Sequence, residues 1–195
     1  AAAAGRASPT SRAGVPPSRA SRAARRWPAC SVAGASRPRP AWSWPPGHGL
    51  VHANRGLAGI DGTVSTAAGI ALGSGRVTRV LVGDLAFLHD LGALVPAPGE
   101  APPDLTVVVV NDQGGGIFSL LEPGAEAERD PAAGARFERL FGTPQQVDLA
   151  GVCAGLGVPF DSVHSAAGLH DWLEPSGRPR EGIRVLEVRV DRDDL

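Results

Sequence analysis

Residues 105–116 read LTVVVVNDQGGG. The first six are an unbroken apolar run, the pattern of a strand buried on both faces of a parallel sheet. The run stops at Asn111-Asp112-Gln113, and three glycines follow. A buried strand that ends in a polar, glycine-rich turn marks a functional end, because open α/β sheets bind ligands at the carboxyl ends of their strands.

The neighbouring text supports the same layout. Upstream, residues 77–82 (VTRVLV) predict another strand, ending in Gly83-Asp84-Leu85. A helix is expected over 85–95, stopped by Pro96 and Pro98. Residues 60–72 (IDGTVSTAAGIAL) are small and apolar and predict a closely packed helix bounded by Gly73-Ser74-Gly75. Downstream, 117–121 opens a short helix, and 122–135 reads as polar and mobile. Residues 147–156 predict a helix in which Cys153 is a small core residue. Another helix is expected over 165–173, and a last strand over 183–190 (IRVLEVRV). Strands alternating with helices predict an α/β domain with a parallel sheet over 47–195.

Residues 1–46 differ in kind. They hold eight arginines, eight prolines and three of the four tryptophans, and no acidic residue occurs before Asp61. No periodicity of 2 or 3.6 survives, so this segment is predicted to be disordered. The net charge of −1 gives no reason to expect nucleic acid or an anionic membrane as partner. No apolar run is long enough to span a membrane. Two cysteines are too few for a disulfide framework or a zinc site, which fits a reduced, cytoplasmic setting.

Asp84 and Asp112 each follow a buried strand and lie 28 positions apart, one strand–helix–strand crossover. If the strands are neighbours, both carboxylates face one crevice, where they repel. A hard divalent cation removes the conflict, and phosphate oxygens and water complete its shell. Glycine backbone N–H groups and helix N-termini offer further anion contacts. The chemistry implied is a diphosphate held by Mg²⁺. Alone, Asp84 reads as a helix N-cap and the glycine run as a flexible turn; it is the pairing of the two at strand ends that points to a site.

Four stretches then fall in order: Asn54-Arg55-Gly56-Leu57-Ala58-Gly59-Ile60-Asp61-Gly62, Ser65-Thr66-Ala67-Ala68-Gly69, Gly83-Asp84-Leu85 and Gly115-Gly116-Ile117-Phe118-Ser119-Leu120-Leu121. Together they resemble the thiamine-diphosphate domain of the SEPHCHC synthases (2-succinyl-5-enolpyruvyl-6-hydroxy-3-cyclohexene-1-carboxylate synthases), over about residues 51–194. The resemblance implies a three-layer domain binding thiamine diphosphate and Mg²⁺ or Mn²⁺, in an enzyme of menaquinone biosynthesis that joins decarboxylated 2-oxoglutarate to isochorismate. By the same resemblance, Asp84, the side chain of Asp112 and the carbonyl of Gly114 are metal ligands. Position 112 is Asn in many relatives. Gly83, Leu85, Gly115, Gly116 and Ile117 line the diphosphate, and Ile60 props the cofactor. Arg55 clamps a substrate carboxylate, a task suited to a bidentate guanidinium, and Phe118 lies beside the substrate. His52 and His89 take no family role.

The resemblance also implies what lies outside this sequence. The Glu that activates the cofactor belongs to a pyrimidine-binding domain, across the subunit interface of a homodimer or tetramer. No catalytic residue is therefore expected in this chain, which alone should be inactive. Family-like sequence begins abruptly near Gly49. Residues 1–46 are thus open to three readings: a targeting peptide, a basic arm, or mis-joined translation, the last favoured. The alternatives are another thiamine enzyme, of acetolactate synthase or oxo-acid decarboxylase type, and a fragment that only binds. The Gly-Asp-Leu text and the NRG–GID block count against the former. A nicotinamide-binding domain is disfavoured because no G-x-G-x-x-G follows the first strand.

Overall fold

The computed structural model describes residues 29–32, 51–54, 59–127, 129–173 and 182–192. Six strands form one parallel sheet: β1 (Ala29–Val32), β2 (Val51–Ala53), β3 (Thr78–Gly83), β4 (Leu105–Asn111), β5 (Phe160–Val163) and β6 (Ile183–Arg189). Their order is β2-β1-β3-β4-β6-β5. β4 is central, with Val107 beside Val80 of β3 and Val185 of β6. Five of its first six residues are buried, as the unbroken apolar run predicts.

The α-helices among the described residues are α1 (Thr63–Ser74), α2 (Asp84–His89), α3 (Glu122–Ala127), α4 (Pro131–Phe137), α5 (Leu149–Gly155) and α6 (Ala166–Leu173). Val80, Val82, Val107, Val109 and Val185 share one sheet face by alternation and register. They form one apolar core with Val64 and Ala67 of α1, Ala86 and Phe87 of α2, and Leu149 and Cys153 of α5. Burial pushes the Cys153 thiol up to about 11, and the nearby Glu187 charge adds to this, so Cys153 is an inert filler at neutral pH.

α1 ends where the sequence says it should. Gly75 takes the left-handed conformation (φ 61°) and its N–H bonds the Ala71 carbonyl. Its first turn has no side-chain cap of its own. Asp90 serves instead, accepting from Ser65 N and Ser65 Oγ, both at 2.7 Å. That duty breaks the helix predicted over 85–95. Asp90 leaves helical geometry (φ −126°), α2 stops at His89, and a 3-10 turn, Leu91–Leu94, follows.

Two further expectations are corrected. Residues 122–135, read as polar and mobile, form α3 and most of α4. Asp130 caps α4 by accepting from Ala132 N at 2.9 Å, and Pro131 stands at its first turn. The buried Phe137 stacks on Phe141, with ring centroids 5.8 Å apart. The segment 1–46, read as structureless, contributes β1, which pairs on both sides with β2 and β3. Two parallel neighbours satisfy its backbone, and tertiary pairing overrides local composition. The rest of 1–46 lies outside the described residues.

Candidate functional site

Asp84, Asn111 and Glu187 continue the sheet face that carries Val82, Val109 and Val185. The core thus ends, at the carboxyl edge, in three buried polar side chains. Asp84 is 1% exposed. Burial raises its carboxyl above the ordinary aspartate value. Hydrogen bonds from Gln145, Leu85 N–H and Gly114 N–H oppose the rise, and the Asp112 charge adds to it. The Asp112 charge is thus felt at Asp84 across the neighbouring ends of β3 and β4.

Asp112 turns toward its own loop, its Oδ2 accepting from Gly116 N at 3.0 Å. In that loop Gln113 (φ 62°) is left-handed and Gly114 has φ 149°. The segment 138–145 covers it closely. A Cβ at Gly114 would come within 2.4 Å of the Gly142 carbonyl, and one at Gly115 within 2.3 Å of the Phe141 carbonyl. Glycine is required here by backbone contact. Gly115 N donates to Gly142 O at 2.8 Å, and Gln145 N to Gln113 O at 3.1 Å.

Asp84, Asp112, Gly114, Gly115 and Gly116 are thus brought together. Gly83 is exposed with open space around it, and Leu85 is half-buried. Ile117 and Phe118 are exposed on the 3-10 turn Gly116–Leu120, and Phe118 lies 5.9 Å from Phe141 between ring centroids. Ile60 is exposed ahead of α1. Arg55 lies outside the described residues. His89 pairs with Asp61 at 3.1 Å on the surface.

The sequence reading missed Gln145, Asn111 and Glu187. Gln145 Nε2 donates to Asp84 Oδ2 at 2.6 Å, and its Oε1 accepts from Val147 N. Glu187 accepts from Asn111 Nδ2 at 2.6 Å, Ser162 Oγ at 2.7 Å and Arg189 Nε at 3.0 Å. Burial would raise the Glu187 carboxyl, but these three donors hold it below the usual value. The signal for Glu187 was a lone acid inside an apolar strand, which must find partners if buried.

No protein-family profile matches the chain. It is 54% identical over 145 residues to the 2-succinyl-5-enolpyruvyl-6-hydroxy-3-cyclohexene-1-carboxylate synthase of Paenarthrobacter aurescens, covering 74% of this chain and 25% of that one. The chain carries a domain of the SEPHCHC synthase family. The synthase of the same name from Nocardioides sp. is 56% identical over 146 residues, with 73% and 26% covered. The chain therefore spans about a quarter of the length of the SEPHCHC synthases it matches. Among solved structures, benzoylformate decarboxylase from Polynucleobacter necessarius superposes with a TM-score of 0.54 at 20% identity, over 73% of this chain and 26% of that one. That likeness is one of fold.

Proposed function

We propose that this domain binds the diphosphate of thiamine diphosphate through a divalent cation, in an enzyme that joins decarboxylated 2-oxoglutarate to isochorismate. The observation that carries the reading is Asp84. It is a buried carboxylate at the end of β3, near the Asp112 charge at the end of β4, and the donors it meets among the described residues (Gln145, Leu85 N–H and Gly114 N–H) are neutral. Such a pair is costly without a cation. No cluster of three His, Cys, Asp or Glu side chains occurs among the described residues. In this reading the two carboxylates and the Gly114 carbonyl supply an all-oxygen donor set instead. That suits a hard ion which keeps phosphate and water in its shell.

In this reading Asp84, Asp112 and Gly114 hold Mg²⁺ or Mn²⁺. Gly83, Leu85, Gly115, Gly116 and Ile117 bring backbone to the diphosphate, and Ile60 supports the ring system. Arg55 binds a substrate carboxylate and Phe118 borders the substrate. When bound, the cofactor supplies carbanion stabilisation. The domain's own contribution is to anchor and orient it. The activating Glu, the pyrimidine-binding domain and a second subunit belong to the longer enzyme. No helix among the described residues is long and apolar enough to cross a membrane.

Calorimetric titration of the chain with thiamine diphosphate, with and without Mg²⁺, tests the proposal. Binding that needs the cation is expected. Equal affinity in both conditions would remove the shared site.

A further inference from the structure

Glu187 does not belong to the predicted ligand set, yet it is 1% exposed and carries three hydrogen bonds. A buried charge is expensive, and an apolar residue of similar volume would extend the Val185 core at lower cost. Its position gives it a different task. A carboxylate only accepts, so the Asn111 amide must turn its NH₂ toward Glu187. The Asn111 carbonyl oxygen then faces the other way, where Oδ1 accepts from Gln113 N at 2.9 Å. That bond pins Gln113 in its left-handed conformation (φ 62°), which a residue other than glycine rarely adopts unaided. The Gln113 carbonyl in turn receives Gln145 N, and the Gln145 side chain reaches Asp84.

We propose that Glu187 is a positioning residue: by fixing the Asn111 amide it sets the Gln113–Gly116 turn for the cation and diphosphate. This rests on the cation–diphosphate reading given above. The relay Glu187, Asn111, Gln113, Gln145, Asp84 links β6 to β3, with side-chain pairs at its two ends and backbone N–H bonds between them. Ser162 and Arg189 brace the carboxylate from β5 and from the exposed end of β6.

The test is a double-mutant cycle on the complete chain, reading the Mg²⁺-dependent affinity for thiamine diphosphate. Residues that orient a metal's ligands typically change its affinity by roughly 10- to 100-fold. Glu187→Leu and Asn111→Ala should each weaken binding within that range, and the double variant should be no weaker than either single. Glu187→Gln should recover part of the loss, because its amide oxygen can still accept from Asn111. In the ligand-free protein, hydrogen exchange at the Gln113 amide should quicken in each variant. Should Glu187→Leu fail to fold, Asn111→Ala, Glu187→Gln and their double variant form the cycle. Multiplying losses, or a lowered melting temperature with unchanged affinity and Gln113 exchange, would overturn the proposal. A wild-type chain that binds no cofactor would instead overturn the reading of the site itself.

Discussion

Gln145 and Asp84 lie 61 residues apart and are joined by a 2.6 Å hydrogen bond from Gln145 Nε2 to Asp84 Oδ2. The bond ties the covering segment to the carboxyl end of β3 and gives a buried anion a neutral donor. Gln145→Ala should lower the stability of the cation-free chain by about 1–3 kcal/mol, the cost of a buried acceptor losing its partner. Added Mg²⁺ and diphosphate should shrink that loss, since a cation neutralises the same carboxylate. Urea unfolding with and without both additions gives the comparison.

Asp84→Asn removes the buried charge and keeps an oxygen that can accept from Gln145. The cation-free variant should therefore be at least as stable as wild type, with diphosphate affinity no longer dependent on Mg²⁺. A variant that is less stable than wild type yet still needs Mg²⁺ for diphosphate binding would show that Asp84 is a structural cap.

Two glycines should behave oppositely. Gly83 has φ −77° and open space where a Cβ would sit, so folding makes no demand for glycine there. Gly83→Ala should keep the wild-type melting temperature yet weaken cofactor binding, if the diphosphate needs close backbone approach. Gly115→Ala collides with the Phe141 carbonyl and should cost about 1–3 kcal/mol. Thermal unfolding alongside calorimetry separates the two.

Much of this was legible in the sequence. β3, β4, β6, α1, α5 and α6 follow from apolar runs and glycine or proline stops, whereas α3 and α4 fall in text read as polar and mobile; the placing of Asp84 and Asp112 after neighbouring strands also followed from the strand pattern. β5 (FDSV) was not legible, being short, exposed at two of its four positions and half polar. β1 was hidden by the Arg- and Pro-rich text around it, because its support comes from β2 and β3. Gln145 could not be found by spacing, since it reaches the site by a fold-back of the chain after a π-helical turn, Glu138–Gly142.

Glu187 gives the pH dependence a sign. Its folded value is depressed, so the stability it adds is present above the ordinary glutamate range. That stability is lost as pH falls through the folded value. Glu187→Gln should flatten this acid limb while leaving the slope near neutrality unchanged. Urea midpoints measured across the acid range provide the check; an unchanged limb would mean that other carboxylates dominate it.

Arg55 stands outside the described residues, and the role proposed for it rests on the NRG text. In the full-length enzyme, Arg55→Ala should weaken use of the carboxylate substrates by roughly tenfold to a hundredfold, the value of a charge-assisted bond of about 1.5–3 kcal/mol. Cofactor affinity should hold, and Arg55→Lys should recover only part. Steady-state kinetics beside cofactor titration decides; a fall in cofactor affinity alone would make Arg55 a structural residue.

β6 is the last of the described strands but lies between β4 and β5 in the sheet. During synthesis, which proceeds at about 5–20 residues per second, β5 has no neighbour to join until residues 183–189 have been made. Over the same interval β4, the most apolar strand, presents one edge of unpaired N–H and C=O groups, the kind of template that recruits strands from other chains. The exposure of the β4 edge is therefore confined to a brief window on the ribosome, and it closes when β6 slides in.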